Sequence, residues 1–264
     1  MNNNPTFRKV CRSPEQAAKE RATLGLLQSS TLKPLSPRLV EMQVDPLVVE
    51  MSLIRGNAPT SNQLNGQILG QLGVALRSLH DLRSYAVFGS LDCTLEIPLS
   101  FTTFEHFLMM QIKKWSEWHK PQQGSFLSSY VSRLYQRCHG LSEYFHNVKP
   151  VFCHGDVDLK NILIQDGEVT GIVDWEHAGV YCLAWELRKL PRTLRHNWQW
   201  SQLLSSYNNS IQLNQHTLLA AIRYLNAVDL LGHLRWCRSR KLQEEERKTL
   251  QQMYRMMNSK EVIK

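Results

Sequence analysis

The sequence predicts an α+β fold built from two parts, a small strand-rich part over residues 1–55 and a mainly helical part over residues 56–264. Three observations support this division. Short apolar and β-branched runs dominate the first part, apolar residues at helical spacing dominate the second, and the second part contains one β-hairpin pattern. The chain has 264 residues, of which 42% are hydrophobic, so it is long enough to bury a complete core.

Turn and capping residues define the elements of the first part. Residues 7–11 form the first predicted strand. The pair Ser13-Pro14 then starts a helix, because Ser accepts a hydrogen bond from the first turn and Pro already has a helical φ angle. This helix is expected to end near Gln28. Two more short strands are expected at residues 39–43 and 47–54.

The second part is predicted from apolar residues that recur at spacings of three and four. The helices indicated by this spacing cover residues 67–82, 104–118, 127–145, 203–211, 217–237 and 241–257. Residues 83–102 contain Gly89 and Pro98 and have no helical period, so they are expected to form a long loop.

Composition and charge restrict the class of protein. No apolar stretch approaches 18 residues and no apolar signal segment opens the chain, so neither a membrane span nor secretion is expected. The six cysteines form no C-x-x-C pair, which predicts free thiols and a cytoplasmic location. The net charge of +8 lies entirely after residue 181, where 14 Lys and Arg stand against 6 Asp and Glu. These basic residues are spread out, so solvated helix faces are favoured over a nucleic-acid-binding surface.

The most informative stretch is residues 151–178, V-F-C-H-G-D-V-D-L-K-N-I-L-I-Q-D-G-E-V-T-G-I-V-D-W-E-H-A. Two apolar runs flank Asp166-Gly167, a pair that tolerates positive φ angles and predicts a β-hairpin. Counting back from this turn pairs Gln165 with Glu168 and places Asn161 opposite Ile172. Asp174 is then expected to lie diagonally from Asn161 on the same face of the hairpin.

Polar side chains are concentrated at the open end of this hairpin. Asn161 and Asp174 offer an amide oxygen and a carboxylate, which are ligands that Mg²⁺ prefers, and Asp156 adds a second carboxylate nearby. Each residue alone would be read as an ordinary turn, cap or strand-end residue. Their combined spacing, H-G-D-x₄-N followed by a D-G hairpin and I-V-D-W-E, indicates a kinase-like site instead.

This segment resembles the catalytic segment of the aminoglycoside phosphotransferase and choline kinase family, the small-molecule branch of the protein-kinase-like fold. The resemblance implies a bilobal protein-kinase-like architecture in which the catalytic hairpin belongs to the helical lobe. It implies that Asp156 accepts or orients the proton of an acceptor hydroxyl, that His154 braces the loop, and that Asn161 and Asp174 hold the metal. ATP and Mg²⁺ are then the expected cofactors, and a small-molecule hydroxyl compound is the expected acceptor.

The strand-rich part also contains candidate ATP-binding residues. Glu20 lies at helical spacing on an apolar helix face, so it needs a buried partner. Lys9 on the preceding strand is the candidate, and Arg8 is the alternative if the strand faces the other way. The resemblance implies that this Lys–Glu pair grips the α- and β-phosphates. The run V-V-E-M-S-L-I-R-G resembles the family's hinge, so backbone groups from Met51 to Leu53 would face adenine; alternatively the run is an ordinary apolar strand.

The sequence departs from the family pattern in three places. Asp158 stands where protein kinases have a phosphate-contacting Lys and this family often has His. The family's G-D-P-x-x-D-L is replaced by A-G-V-Y-C-L-A-W-E-L, in which Glu186 is the candidate for the missing Asp. Only eight residues precede Lys9, too few for the two strands and phosphate-covering loop that usually come first, so the first lobe is expected to be truncated.

Two functions follow from these patterns. The first is an ATP-dependent phosphotransferase that acts on a hydroxyl group of a small molecule. The second is a catalytically impaired, pseudokinase-like binding module, which the missing phosphate-covering strands would explain. The complete set of His154, Asp156, Asn161 and Asp174 favours the enzyme.

Overall fold

The computed structural model describes residues 5–41, 46–119, 124–207 and 214–258. Its first part is an antiparallel sheet with strand order β1-β3-β2, formed by β1 (Thr6–Val10), β2 (Leu39–Glu41) and β3 (Val48–Ser52). Helix α1 (Pro14–Gln28) packs on this sheet, and Ser13 accepts a hydrogen bond from Gln16 N–H at its N-cap. The predicted helix and strands are therefore confirmed within the described residues, and the predicted end of the second strand at residues 42–43 lies outside them.

Helices form most of the second part. They are α2 (Gly66–His80), α3 (Phe104–His119), α4 (Ser125–Gly140), α5 (Ser142–Asn147), α6 (Leu183–Glu186), α7 (Asn197–Tyr207), α8 (Gln215–Ser239) and α9 (Gln243–Asn258). The single helix predicted over residues 127–145 is two helices, because the chain leaves the helical conformation at Leu141 after Gly140. The predicted helix end at residues 208–211 lies outside the described residues. No helix within the described ranges is long and apolar enough to cross a bilayer.

Two small sheets accompany these helices. The hairpin of β6 (Ile162–Gln165) and β7 (Glu168–Ile172) was predicted, and Asp166 and Gly167 have the expected positive φ angles of 52° and 83°. The second sheet has the order β4-β8-β5 and consists of β4 (Gly89–Ser90), β5 (Val151–Cys153) and β8 (Gly179–Tyr181). The sequence did not predict this sheet, because strands of two or three residues are too short to show an alternating pattern. All six cysteines are free, as expected.

The helical core depends on close packing of α2 against α7. A Cβ atom at Gly73 would lie 2.4 Å from the carbonyl oxygen of Leu203 and 2.9 Å from the backbone nitrogen of Tyr207. Both contacts are with backbone atoms, so a larger residue would force the helices apart. In contrast, a Cβ atom at Gly25 in α1 would meet nothing within 4 Å.

Gly73→Ala is therefore expected to destabilise the protein by about 1–3 kcal/mol, the usual cost of overpacking a core. Gly25→Ala is the matched control, and it should stabilise by about 0.5–1 kcal/mol because Ala is the better helix former. Urea unfolding of both variants measures the difference. Equal effects of the two substitutions would contradict the close packing of α2 on α7.

Candidate active site

The hairpin forms as predicted, but its register differs from the one that strand counting suggested. Gln165 pairs with Glu168 as expected, but Ile162 pairs with Ile172, and Val173 N–H donates to the Asn161 carbonyl over 2.9 Å. The prediction that Asn161 lies opposite Ile172 is therefore wrong by one residue. The pairing shifts because Thr170 is an extra, bulged residue.

The bulge is held in place by the segment that precedes the helical part. Thr170 Oγ1 donates to the Arg55 carbonyl over 2.7 Å, and Asn57 exchanges two backbone hydrogen bonds with Ile164 at 2.9 and 3.0 Å. A Cβ atom at Gly171 would lie 2.7 Å from the Ile54 side chain. The chain between the two parts is thus docked onto the hairpin.

Asp174 leaves the strand in a left-handed conformation, with φ 71° and ψ 60°. This turn, rather than strand alternation, directs its side chain toward Lys9, whose Nζ lies 2.5 Å from Asp174 Oδ1. The same ammonium lies 2.6 Å from Glu20 Oε2 and 2.9 Å from Glu176 Oε2. Lys9 therefore joins the strand, the helix and the hairpin at one point.

The expected Lys9–Glu20 ion pair is present, whereas Arg8 is mostly exposed and lies 3.8 Å from Glu50. Burial lowers the pKa of Lys9, but Glu20 and Asp174 outweigh burial and raise it above its ordinary value. Burial raises the pKa of Glu20 despite Lys9. The nearby His177 imidazole, together with Lys9, lowers the pKa of Glu176 to about 2.

Three carboxylates surround the Lys9 ammonium, and we call this group, Lys9 with Glu20, Asp174 and Glu176, the Lys9 cluster. Glu20, Asp174 and Glu176 each present a carboxylate oxygen within 4.8 Å of the others, so three carboxylates face a single ammonium. Glu20 Oε1 is buried and has no hydrogen-bond partner among the described residues. Hard oxygen donors with excess negative charge are what Mg²⁺ requires. Glu176 was not among the predicted site residues, although it stands in the D-W-E motif.

Asp156 lies on the loop before the hairpin and is 4% exposed. Asn161 Nδ2 donates to the Asp156 backbone oxygen at 2.9 Å and to Oδ2 at 3.1 Å. Lys189 Nζ contacts Oδ1, and Lys160 Nζ lies 3.6 Å from Oδ2. Burial would raise the pKa of Asp156, but Lys189 and the other nearby cations lower it below its ordinary value. The carboxylate is therefore ionised and fixed in orientation.

His154 is fully buried and connects the loop to the hairpin. Asp156 N–H donates to His154 Nδ1 over 3.2 Å, so the ring proton is on Nε2, which donates to the Val173 carbonyl over 2.9 Å. The imidazole also packs against Trp175 with ring centroids 4.5 Å apart. Burial lowers its pKa, so the ring is neutral. These contacts fit the bracing role predicted for His154.

Glu186 fixes the start of the loop, in the position that the sequence suggested for a missing Asp. Its two carboxylate oxygens accept hydrogen bonds from His154 N–H and Gly155 N–H, each at 2.8 Å. Burial would raise the pKa of Glu186, but the nearby imidazoles of His80 and His154 and the Gly155 N–H lower it below its ordinary value of 4.5. Glu186 is thus a buried carboxylate that accepts hydrogen bonds from the backbone of the loop that carries Asp156.

Glu186→Gln should destabilise the protein by about 2–3 kcal/mol at neutral pH, because one backbone donor loses an ionised acceptor. Folding lowers the pKa of Glu186, so ionised Glu186 stabilises the folded protein. This contribution to the free energy of unfolding is complete above pH 4.5 and is lost as the pH falls through the pKa of the folded state. The difference in the free energy of unfolding between the parent and Glu186→Gln should therefore become smaller below pH 4.5. Denaturant unfolding across this range tests this, with Glu168→Gln on the exposed hairpin edge as the control. A stability difference that does not depend on pH would contradict a stabilising role for the charge of Glu186.

The proposed hinge lies at the end of β3. The Met51 side chain is buried, the Leu53 N–H donates to the Pro5 carbonyl over 2.9 Å, and the Ser52 N–H donates to the Arg38 carbonyl over 2.7 Å. The backbone donors at Ser52 and Leu53 are therefore already used by the sheet. The next donor, Ile54 N–H, has no hydrogen-bond partner among the described residues.

Comparison with known proteins identifies the family to which the chain belongs. The sequence profile of the phosphotransferase enzyme family, APH, matches residues 6–222. The chain matches none of the curated proteins with which it was compared.

Solved structures with similar folds include aminoglycoside phosphotransferases and choline kinases. The gentamicin complex of APH(2")-IIa is 14% identical, with a TM-score of 0.72 over 99% of this chain and 87% of that chain. Choline kinase LicA from Streptococcus pneumoniae is 15% identical, with a TM-score of 0.71 over 97% and 86%. A choline/ethanolamine kinase family protein from Mesorhizobium loti is 16% identical, with a TM-score of 0.69 over 97% and 83%. At these identities the similarity shows the protein-kinase-like fold, and together with the profile match it shows that the chain belongs to the phosphotransferase enzyme family.

Proposed function

We propose that the protein is an ATP-dependent phosphotransferase that transfers a phosphoryl group to a hydroxyl group of a small molecule. The observation that carries this proposal is the contact of Lys9 with both Glu20 and Asp174, residues separated by up to 165 positions. A lysine that joins the strand, the helix and the hairpin suits the phosphate side of a phosphotransferase site. The ionised Asp156 suits the acceptor side.

The chain's own residues divide into three roles. Lys9, oriented by Glu20, binds phosphate oxygens, while Asn161 and Asp174 hold Mg²⁺, with Glu176 as a further carboxylate. Bound Mg²⁺ supplies positive charge that neutralises the phosphates. In this structure the Asp174 carboxylate that would hold the metal contacts Lys9.

Asp156 acts on the acceptor. It orients the acceptor hydroxyl and takes its proton as the oxygen bonds to phosphorus, while the bond from that phosphorus to the departing ADP oxygen breaks. Its buried, hydrogen-bonded carboxylate is already in one orientation, which lowers the cost of positioning the acceptor. His154 and Glu186 hold the loop backbone and do not contact the acceptor.

Adenine is proposed to bind at the end of β3, where the two parts of the chain meet near residue 55. Because the Ser52 and Leu53 N–H groups are paired with Arg38 and Pro5, the donor that we propose for adenine is the Ile54 N–H. Docking of the segment around Arg55 onto the hairpin would fix this donor relative to Asp174. We also propose that the chain divides into two lobes at residue 55.

The acceptor is proposed to be a neutral or anionic hydroxyl compound. Lys189 contacts Asp156, and the positive excess of the chain lies in its last third. A polycationic aminoglycoside would be repelled by these charges. Turnover assays with Mg-ATP and gentamicin, choline, neutral sugars and phosphorylated sugars distinguish these acceptors. The family match does not support the alternative of a catalytically impaired binding module. The same turnover assays test this alternative, because such a module would transfer phosphate to none of the acceptors.

Lys9→Met should weaken Mg-ATP binding by about tenfold to a hundredfold, because a charge-assisted hydrogen bond to phosphate is lost. Arg8→Met on the same strand is the control, since Arg8 faces Glu50 instead. Titration calorimetry measures both affinities, and thermal unfolding without nucleotide checks that the fold survives. Equal affinities in the two variants would refute the assignment of Lys9.

A further inference from the structure

Lys189 contacts the carboxylate on which the proposed function depends, although it lies 33 positions away in the sequence. Its Nζ contacts Asp156 Oδ1, and the Lys189 side chain is only 16% exposed. Lys160, the other lysine near this carboxylate, is 62% exposed and lies 3.6 Å from Oδ2. The two lysines therefore differ in contact and in burial.

The backbone next to Lys189 is anchored on two sides. Arg188 Nη2 donates to the Gly155 carbonyl and Arg188 Nε donates to Asp229 Oδ1, each over 2.9 Å. Asn226 Nδ2 donates to the Arg188 carbonyl over 2.7 Å. Arg188 is buried, so these bonds fix the chain between the catalytic loop and α8. Lys189 therefore extends from a rigid support toward Asp156.

Both oxygens of Asp156 are thereby engaged, Oδ1 by Lys189 and Oδ2 by Asn161. The catalytic loop has no cation two residues after Asp156, because that position is Asp158. Lys189, from the mainly helical second part of the chain, places a cation beside Asp156 instead. A carboxylate held at both oxygens cannot rotate, so the direction of its free lone pairs is set before the acceptor arrives.

We propose that Lys189 is a positioning residue for phosphoryl transfer, which orients the Asp156 carboxylate toward the acceptor hydroxyl. This inference rests on the proposed function. Lys189 acts through Asp156, so its loss should lower the turnover number and leave the affinity for Mg-ATP unchanged. Lys160 should contribute little, because an exposed, longer-range ion pair gives little orientation.

The test compares Lys189→Met, Lys189→Arg and Lys160→Met, with ATP turnover to water or to the best acceptor as the readout. Lys189→Met should lower kcat by on the order of a hundredfold, the effect of misplacing a catalytic group by about 1 Å. Its KM for ATP should stay within about twofold, since only positioning is lost. Lys189→Arg should recover part of kcat, and Lys160→Met should stay close to the parent. An unchanged kcat in Lys189→Met would overturn the proposal.

A double-mutant cycle with Asp156→Asn gives a readout that does not need turnover. If Lys189 holds Asp156, the melting temperature shifts of Lys189→Met and Asp156→Asn should not add in the double variant, because contacting residues are coupled. Additive shifts would overturn the contact even if the parent has no activity. Failure of the parent to bind Mg-ATP would instead contradict the proposed function, so the two failures are distinguishable.

Discussion

Asp156→Asn is expected to reduce phosphoryl transfer by about a hundredfold to ten-thousandfold, the range for loss of a general base. The amide cannot accept the acceptor proton, yet it is close to the carboxylate in size. Mg-ATP affinity should be unchanged, because Asp156 is proposed to act on the acceptor and is not one of the carboxylates around Lys9. Initial-rate assays and titration calorimetry on the same preparation measure the two quantities.

The control for this variant is Asp166→Asn in the exposed hairpin turn, which makes the same chemical change away from the site. It should behave like the parent in both measurements. If Asp156→Asn retained full turnover, Asp156 would have no part in proton transfer. If it lost Mg-ATP affinity instead, the division between a phosphate side and an acceptor side would be wrong.

Asp174→Asn is expected to weaken Mg²⁺-dependent nucleotide binding by about tenfold to a hundredfold, because a carboxylate ligand becomes a neutral amide. The fold should survive, since Asn tolerates the left-handed conformation that Asp174 adopts. Affinity for ATP should be measured with Mg²⁺ and with EDTA. The parent should show a large difference between the two conditions, and the variant should show a small one.

Asp166→Asn is again the matched control, because Asp166 is also an aspartate with positive φ, at 52°, in the same hairpin. It separates the effect of changing a left-handed Asp from the effect of removing a metal ligand. Unchanged Mg-ATP affinity in Asp174→Asn would exclude Asp174 from the metal site. Such a result would direct attention to Glu20 and Glu176, the other carboxylates of the cluster.

The sequence by itself determined the elements that depend on local chemistry. Ser13 and Pro14 set the start of α1, because a cap acts on backbone groups within one helical turn. Asp166-Gly167 set the hairpin turn, because few residue pairs tolerate two positive φ angles. The spacing from His154 to Asp174 identified the catalytic segment and, by resemblance, the family.

Only the tertiary structure decided how the site is assembled. Strand counting failed at Asn161 because the Thr170 bulge is stabilised by a hydrogen bond to Arg55, which is 115 positions away. The left-handed turn at Asp174 likewise cannot be read from side-chain alternation.

The contacts of Glu186 and Lys189 with the catalytic loop span more than 30 positions, so they also depend on the folded arrangement. Local propensities act over a few residues, whereas these contacts form only when packing brings distant segments within hydrogen-bond distance. The sequence therefore predicted the candidate site residues, and packing determined which neighbours contact them.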